Sequence, residues 1–286
     1  MSMPTPLPPA QALAPGLLEC VRQAGDLIRA AWHQPSTVQH KGRIDLVTET
    51  DLAVEAALKA SLTALCPQVD FLAEESADGV DRAAVLAGPC WVIDPLDGTT
   101  NFAHRLPFVA VSVGLWTGSG VDLAAVYNPV LDEMFHAVRG GGAFRNGRPM
   151  AVSGAARLQD SLVCTGFPYA SAEDAALAAR LAGWIQRMLA TTRGLRRYGA
   201  AALDLAYVAA GHYEAFYELG LKPWDVAAGW LLVEEAGGRV TPIPPILPIP
   251  GSPGSPDSPV PFTLDAPSIL ATNGQVHQAM LEQLTA

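Results

Sequence analysis

Four short apolar runs follow one another between residues 109 and 144: Val109–Trp116, Leu123–Tyr127, Met134–Val138 and Ala143–Phe144. They read as strands, and Asn146-Gly147 after the last is a tight-turn signal. Phe71–Ala73, Trp91–Ile93, Leu162–Thr165 and Ile269–Ala271 read as strands too. Helices are expected over 17–32, where Leu17, Val21, Ala24, Leu27, Ile28 and Ala31 recur at helical spacing, and over 51–65, with Pro67 just past its end. Further helices are expected over 173–190, 200–210 and 226–236, the last stopped by Gly237-Gly238, and from about 275. Strands in runs with helices around them predict an α+β fold. Its sheets are mixed and largely antiparallel, layered with helices, unlike a doubly wound parallel sheet.

The 286 residues suit two fused halves or one large domain. Residues 1–15 are rich in Pro and Ala and read as a flexible arm, followed by an α+β half over 16–152 and a second half over 153–286. Within the second half, 242–261 holds nine prolines, which suit neither helix nor ladder and predict a solvated loop.

Half of the residues are hydrophobic and 16% are charged, enough to bury a large core, so global disorder is excluded. A net charge of −10 makes a poor nucleic-acid binder, because phosphate neutralisation needs clustered Lys and Arg. An acidic chain acting on an anionic substrate needs local positive charge, which bound metal ions supply. Cys20, Cys66, Cys90 and Cys164 form no CxxC pair and read as buried, reduced thiols. The N-terminus, with Pro4, Pro6, Pro8 and Pro9, lacks the charged and apolar regions of a signal peptide. No apolar run reaches the roughly 18 residues of a membrane span. These features fit a cytoplasmic enzyme.

The most informative segment is Trp91-Val-Ile-Asp94-Pro-Leu-Asp97-Gly-Thr-Thr-Asn-Phe102. An apolar strand runs into Asp94, and Asp97 follows three residues later. Two carboxylates at a strand end suit a hard cation such as Mg²⁺, and the Leu96 carbonyl offers a third oxygen. Gly98 lets a ligand approach the backbone, and Thr99 opens a helix start whose free N–H groups suit phosphate. Asp-Gly alone is an ordinary turn, but carboxylates buried this close repel unless a cation or a proton intervenes. Glu74-Glu75-Ser76 also ends a short apolar strand, although a Glu pair alone is usually solvated. Asp225 opens an apolar helix and Asp51 precedes another, and each alone reads as a helix cap.

Taken together, these pieces resemble the inositol monophosphatase family within the lithium-sensitive, metal-dependent sugar phosphatases. The matching stretches are Asp45-Leu-Val-Thr-Glu-Thr-Asp51, Glu74-Glu-Ser, Trp91 to Phe102, and Arg196-Arg-Tyr-Gly-Ala-Ala-Ala-Leu-Asp-Leu-Ala. Gly220-Leu-Lys-Pro-Trp-Asp-Val-Ala-Ala-Gly and Glu235-Ala-Gly-Gly238 complete the set, in family order, over about 40 to 240. Ala200 stands where the family often has Thr or Ser, so one hydroxyl contact to substrate is missing.

The resemblance implies a layered αβαβα sandwich, a homodimer and two or three Mg²⁺ ions per site. It implies Glu74, Asp94, the Leu96 carbonyl, Asp97 and Asp225 as metal ligands. Thr99, oriented by Asp51, then deprotonates the attacking water, with help from Glu74. The Gly98 and Thr99 amides hold phosphate, while Glu218 and the Ala201 amide meet the polyol alongside Asp97 and Asp225. The implied substrate is inositol monophosphate or another small anionic polyol phosphate. Histidinol-phosphate, fructose-bisphosphate and nucleotide 3′-phosphatases share the metal motifs, and the block around Gly199–Ala210 with Glu218 fits the inositol branch best. A reading of another class is a scaffold or regulatory protein touching the transcription machinery, with residual phosphatase activity.

Overall fold

The computed structural model describes residues 7–34, 38–40, 46–244 and 261–286. The chain opens with helix α1 (Ala10–Ala31), then the ribbon β1 (Val38–His40) and β2 (Leu46–Thr48), and helix α2 (Glu49–Leu65). Next come β3 (Asp70–Ala73), α3 (Arg82–Leu86), β4 (Pro89–Asp97) and the single-turn α4 (Thr99–Ala103). A meander follows: β5 (Ala110–Thr117), β6 (Val121–Asn128), β7 (Glu133–Val138), β8 (Gly142–Arg145) and β9 (Arg148–Met150). The remainder comprises β10 (Leu162–Thr165), α5 (Ala175–Thr191), β11 (Gly194–Arg196), α6 (Ala201–Ala209) and β12 (Ala215–Leu219). Helix α7 (Pro223–Glu235), β13 (Arg239–Thr241), β14 (Ser268–Thr272) and α8 (His277–Thr285) end it.

Strands β3 to β9 form one sheet in sequence order, antiparallel apart from the parallel β3–β4 pair. The second sheet runs β11-β10-β12-β14-β13 and is mixed. Strand alternation sorts the side chains into separate cores. Trp91, Ile93, Val111, Val113 and Leu123 pack under Leu17, Val21, Ile28, Leu58 and Leu62 of α1 and α2. The opposite face of that sheet joins α6, α7 and the inner face of the second sheet in the central core. Leu181, Trp184 and Met188 of α5 and Met280 and Leu284 of α8 cover the far face, on Val163, Ala215, Tyr217 and Leu270. The result is the αβαβα sandwich that the motifs implied.

Helix α7 is apolar on all sides because both of its faces meet a sheet. Strand β5 presents Ala110, Ser112 and Gly114 toward it, and a Cβ at Gly114 would lie 3.2 Å from that of Ala227. Small residues on the strand let this helix sit close.

Two expectations change. Residues 10–15 belong to α1, although 1–15 read as a loose arm. Leu13 and Leu17 are buried on either side of Pro15, which sits in the second turn and removes one i→i−4 bond, to the Gln11 carbonyl, from a helix that their burial holds in place. Of the proline-rich segment, 245–260 lies outside the described residues, while Ile243 is buried and its N–H donates to Ser268 Oγ at 2.9 Å. The Asn146-Gly147 turn is as expected: φ values of 49° and 74° match a type I′ hairpin.

Leu231 of α7 is 0% exposed, whereas Leu189 of α5 is 66% exposed. Leu231→Ala should therefore destabilise the fold by about 2–5 kcal/mol in urea titration. Leu189→Ala should stay within about 0.5 kcal/mol of the parent.

Candidate functional site

A cavity of about 840 Å³ lies between the two sheets. Its lining includes Glu74, Asp94, Leu96, Asp97, Gly98, Thr99, Ala201, Glu218 and Asp225, nine of the ten site residues named from the sequence. The tenth, Asp51, reaches the site through Thr99.

The register of β4 explains how Asp94 and Asp97 meet. Asp94 pairs with Ser112, but Asp97 pairs with Ala110. Three steps along β4 match two along β5, so β4 holds one extra residue, a β-bulge. In an unbroken strand, residues three apart face opposite sides. The bulge restores parity: Leu96 drops into the outer core with Trp91 and Ile93, and Asp97 faces the cavity with Asp94. Pro95 fits there because a bulge tolerates a residue without an N–H. The Leu96 N–H donates to Asp94 Oδ1 at 3.0 Å, which fixes the carboxylate against the turn.

Beyond the bulge, Gly98 has φ of 88°, and a Cβ there would come within 2.9 Å of the Phe108 carbonyl oxygen. Glycine is required on both counts. Thr99 Oγ1 then lies 3.1 Å from both Asp51 Oδ1 and the Leu96 carbonyl. Its single proton serves one acceptor at a time. Asp51, 1% exposed, is held in turn by the Thr48 N–H at 2.8 Å and by the Thr48 hydroxyl, a capping box at the start of α2. Its cap role and its contact with Thr99 use different oxygens.

The second half contributes from three elements. Asp225 lies in the first turn of α7, where Oδ2 accepts the Lys222 N–H at 2.7 Å. Glu218 ends β12 with the parity of Phe216, which faces the central core. Gly166, which the sequence did not flag, makes room for it: a Cβ there would fall 2.0 Å from a Glu218 carboxylate oxygen. Only the contact reveals this, since Gly166 has no turn signature. The first-turn amides of α6 point at Asp97, whose Oδ2 accepts the Ala202 N–H at 2.7 Å, with Ala201 and Leu203 beside it. The Ala201 amide, expected to meet the polyol, thus faces a carboxylate in this structure.

Burial pushes Asp94 well above the usual carboxylate range, and the charges of Glu74, Asp97, Asp225 and Asp51 push further. Asp97 rises to about 7, chiefly by burial, against the opposing pull of the α6 amides. Glu218 rises by burial and by Asp225 and Asp204, while Arg197 opposes. Among the described residues, no three His, Cys, Asp or Glu side chains close a metal cage by themselves. Mg²⁺ does not need one, because it keeps several waters and takes one or two carboxylates plus substrate phosphate oxygens. The donors facing the cavity are carboxylate and carbonyl oxygens, a hard set that suits Mg²⁺ rather than a soft metal.

The model of the inositol monophosphatase family matches residues 11–286. Inositol monophosphatase 2 of Solanum lycopersicum is 42% identical over 225 residues, covering 78% of this chain and 84% of that protein. Nus factor SuhB of Escherichia coli is 42% identical over 228 residues, covering 78% and 82%. The crystal structure of extragenic suppressor protein suhB from Bartonella henselae superposes with a TM-score of 0.81 at 34% identity, covering 94% of this chain and 97% of that one.

The raised Asp97 carboxyl has a measurable consequence. Its folded pKa of about 7 exceeds the ordinary 3.8, so between these values the folded state keeps a proton that the unfolded state has released. Stability is then favoured at low pH and falls as pH rises through this window. Chelator-treated protein should show a Tm contribution that declines from about pH 4 to pH 7, and Asp97→Asn should flatten the decline. Saturating Mg²⁺ should also flatten it, because a nearby cation favours the ionised carboxyl. An equal slope in parent and variant would remove Asp97 as the source.

Proposed function

The chain belongs to the inositol monophosphatase family, a family of phosphoric monoester hydrolases, and we propose that it hydrolyses inositol monophosphate in a Mg²⁺-dependent reaction. The observation that carries this reading is the bulge in β4, which turns Asp94 and Asp97 into one cavity shared with Glu74, Asp225 and Glu218. When bound, Mg²⁺ lowers the pKa of a coordinated water and offsets charge on phosphate and leaving oxygens. Glu74, Asp94, the Leu96 carbonyl, Asp97 and Asp225 would hold it.

The chain's own groups do the rest. Asp51 Oδ1, 3.1 Å from Thr99 Oγ1, takes the hydroxyl proton, leaving Thr99 an acceptor for the proton of the attacking water. Glu74 lines the same cavity and can share that proton. The Gly98 and Thr99 amides, at the start of α4, hold phosphate oxygens as negative charge grows on them. Glu218 accepts polyol hydroxyls and orients the leaving group. Its buried carboxylate selects an uncharged, hydroxyl-rich moiety, since a second anion there would be repelled.

Similarity to a protein named Nus factor SuhB favours a second reading, a binding role in transcription beside the hydrolysis. The two separate in Asp94→Asn, which should keep any protein-binding role while losing turnover. Four free, buried cysteines fit the reducing cytoplasm, and no helix among the described residues is long and apolar enough to cross a membrane. A homodimer is the expected assembly, and Li⁺, close to Mg²⁺ in size with half its charge, the expected inhibitor.

The test is phosphate release from inositol, histidinol, sugar and nucleotide monophosphates with Mg²⁺, then with LiCl against KCl at matched ionic strength. Inositol monophosphate should show the highest kcat/KM. Asp94→Asn should lower turnover by about two to four orders of magnitude, the equivalent of several kcal/mol. Near-parent turnover in that variant would sink the assignment.

A further inference from the structure

Glu74 is borne on a short 3₁₀ turn, Glu74–Ser76, at the end of β3. Residue Ala73 before the turn supplies no side-chain cap. A distant carboxylate does so instead: Glu55 Oε2, on α2, accepts the Glu75 N–H at 2.7 Å. Its other oxygen accepts from Lys59 Nζ at 2.9 Å, and the same ammonium donates to Ser76 Oγ. The pair therefore grips the turn at two points, by its backbone amide and by its last side chain. Glu55 is 5% exposed, and neither Glu55 nor Lys59 lines the cavity.

Helix geometry adds a second connection. Glu55 follows Asp51 by four residues, so the two lie on one face of α2. Asp51 grips Thr99 after β4, and Glu55 grips the Glu74 turn after β3. One helix thus orients both N-terminal arms of the site.

We propose that Glu55, braced by Lys59, is a positioning residue that sets the direction of the Glu74 carboxylate and thereby the site's affinity for Mg²⁺. The Glu75 N–H belongs to the peptide that leaves Glu74, so anchoring it fixes the backbone from which Glu74 projects. A buried carboxylate serves here better than a neutral acceptor, because it binds the amide and the ammonium together and both bonds are charge-assisted. Groups behind metal ligands characteristically change metal affinity by about 10–100-fold when removed. The inference rests on the reading of Glu74 as a metal ligand.

The experiment is calorimetric titration of MgCl₂ into the full chain, with Tm and steady-state kinetics at saturating Mg²⁺ measured alongside. Glu55→Ala should raise the Mg²⁺ Kd by about tenfold while leaving the substrate KM at saturating Mg²⁺ near the parent value. Lys59→Met, at a part-exposed site, should shift Kd in the same direction by less, and it carries the test should Glu55→Ala fail to fold. A lowered Tm with unchanged Kd in the folded variants would make the pair purely structural and overturn the inference. If Asp94→Asn weakens Mg²⁺ binding and these variants do not, this inference alone fails. If the unaltered protein binds no Mg²⁺, the proposed function fails with it.

Discussion

One extra residue in β4 is the constraint on which the site depends. Sheet geometry dictates that residues 94 and 97 point apart, and the bulge overrules it by shifting register against β5. Everything downstream follows from that shift. Leu96 sends its side chain into the core under α1 and α2 while still lining the cavity, Asp97 comes within reach of α6, and Gly98 must turn with positive φ to let α4 begin. From Cys90 to Asp97 the strand is buried, so the surrounding core holds the irregularity in place.

Asp97 also joins the two halves of the molecule. It issues from the first sheet yet accepts amides from α6, a helix sandwiched between the sheets. The helix N-terminus favours negative charge, and burial disfavours it. The balance leaves a carboxyl near neutrality without a cation and ready to ionise with one. Asp225 has a comparable double attachment, capping α7 with one oxygen while lining the cavity. The acidic groups are thus structural and chemical parts at once.

Much of this was legible in the residues. The apolar runs of β5 to β8 announced a meander, Asn146-Gly147 its tight turn, and the carboxylates at the ends of apolar strands their shared cavity. What was not legible lies in register and contact. Nothing in the alternation of Trp91-Val-Ile-Asp-Pro-Leu-Asp tells which face Asp97 takes, because a bulge leaves no periodic trace. Gly166 matters only through the Glu218 side chain that occupies the space of its missing Cβ. Glu55 carries no signal of its own in the sequence, since its partner, the Glu75 amide, is twenty residues away. The three-residue strands β11 and β13 are too short for any pattern. Residues 10–15 looked loose because composition weighed more than the buried positions of Leu13 and Leu17.

The bulge also bears on how such a chain can change over evolutionary time. Deleting a single residue between Asp94 and Asp97 would make the ladder more regular, with no loss of strand pairing. The sheet would remain intact, and the two carboxylates, now two residues apart, would still share a face. What such a deletion would remove is the break in the ladder itself, where the Leu96 carbonyl accepts the Thr99 hydroxyl, so a descendant that had dropped one residue there would keep its paired acids and lose the irregular backbone between them.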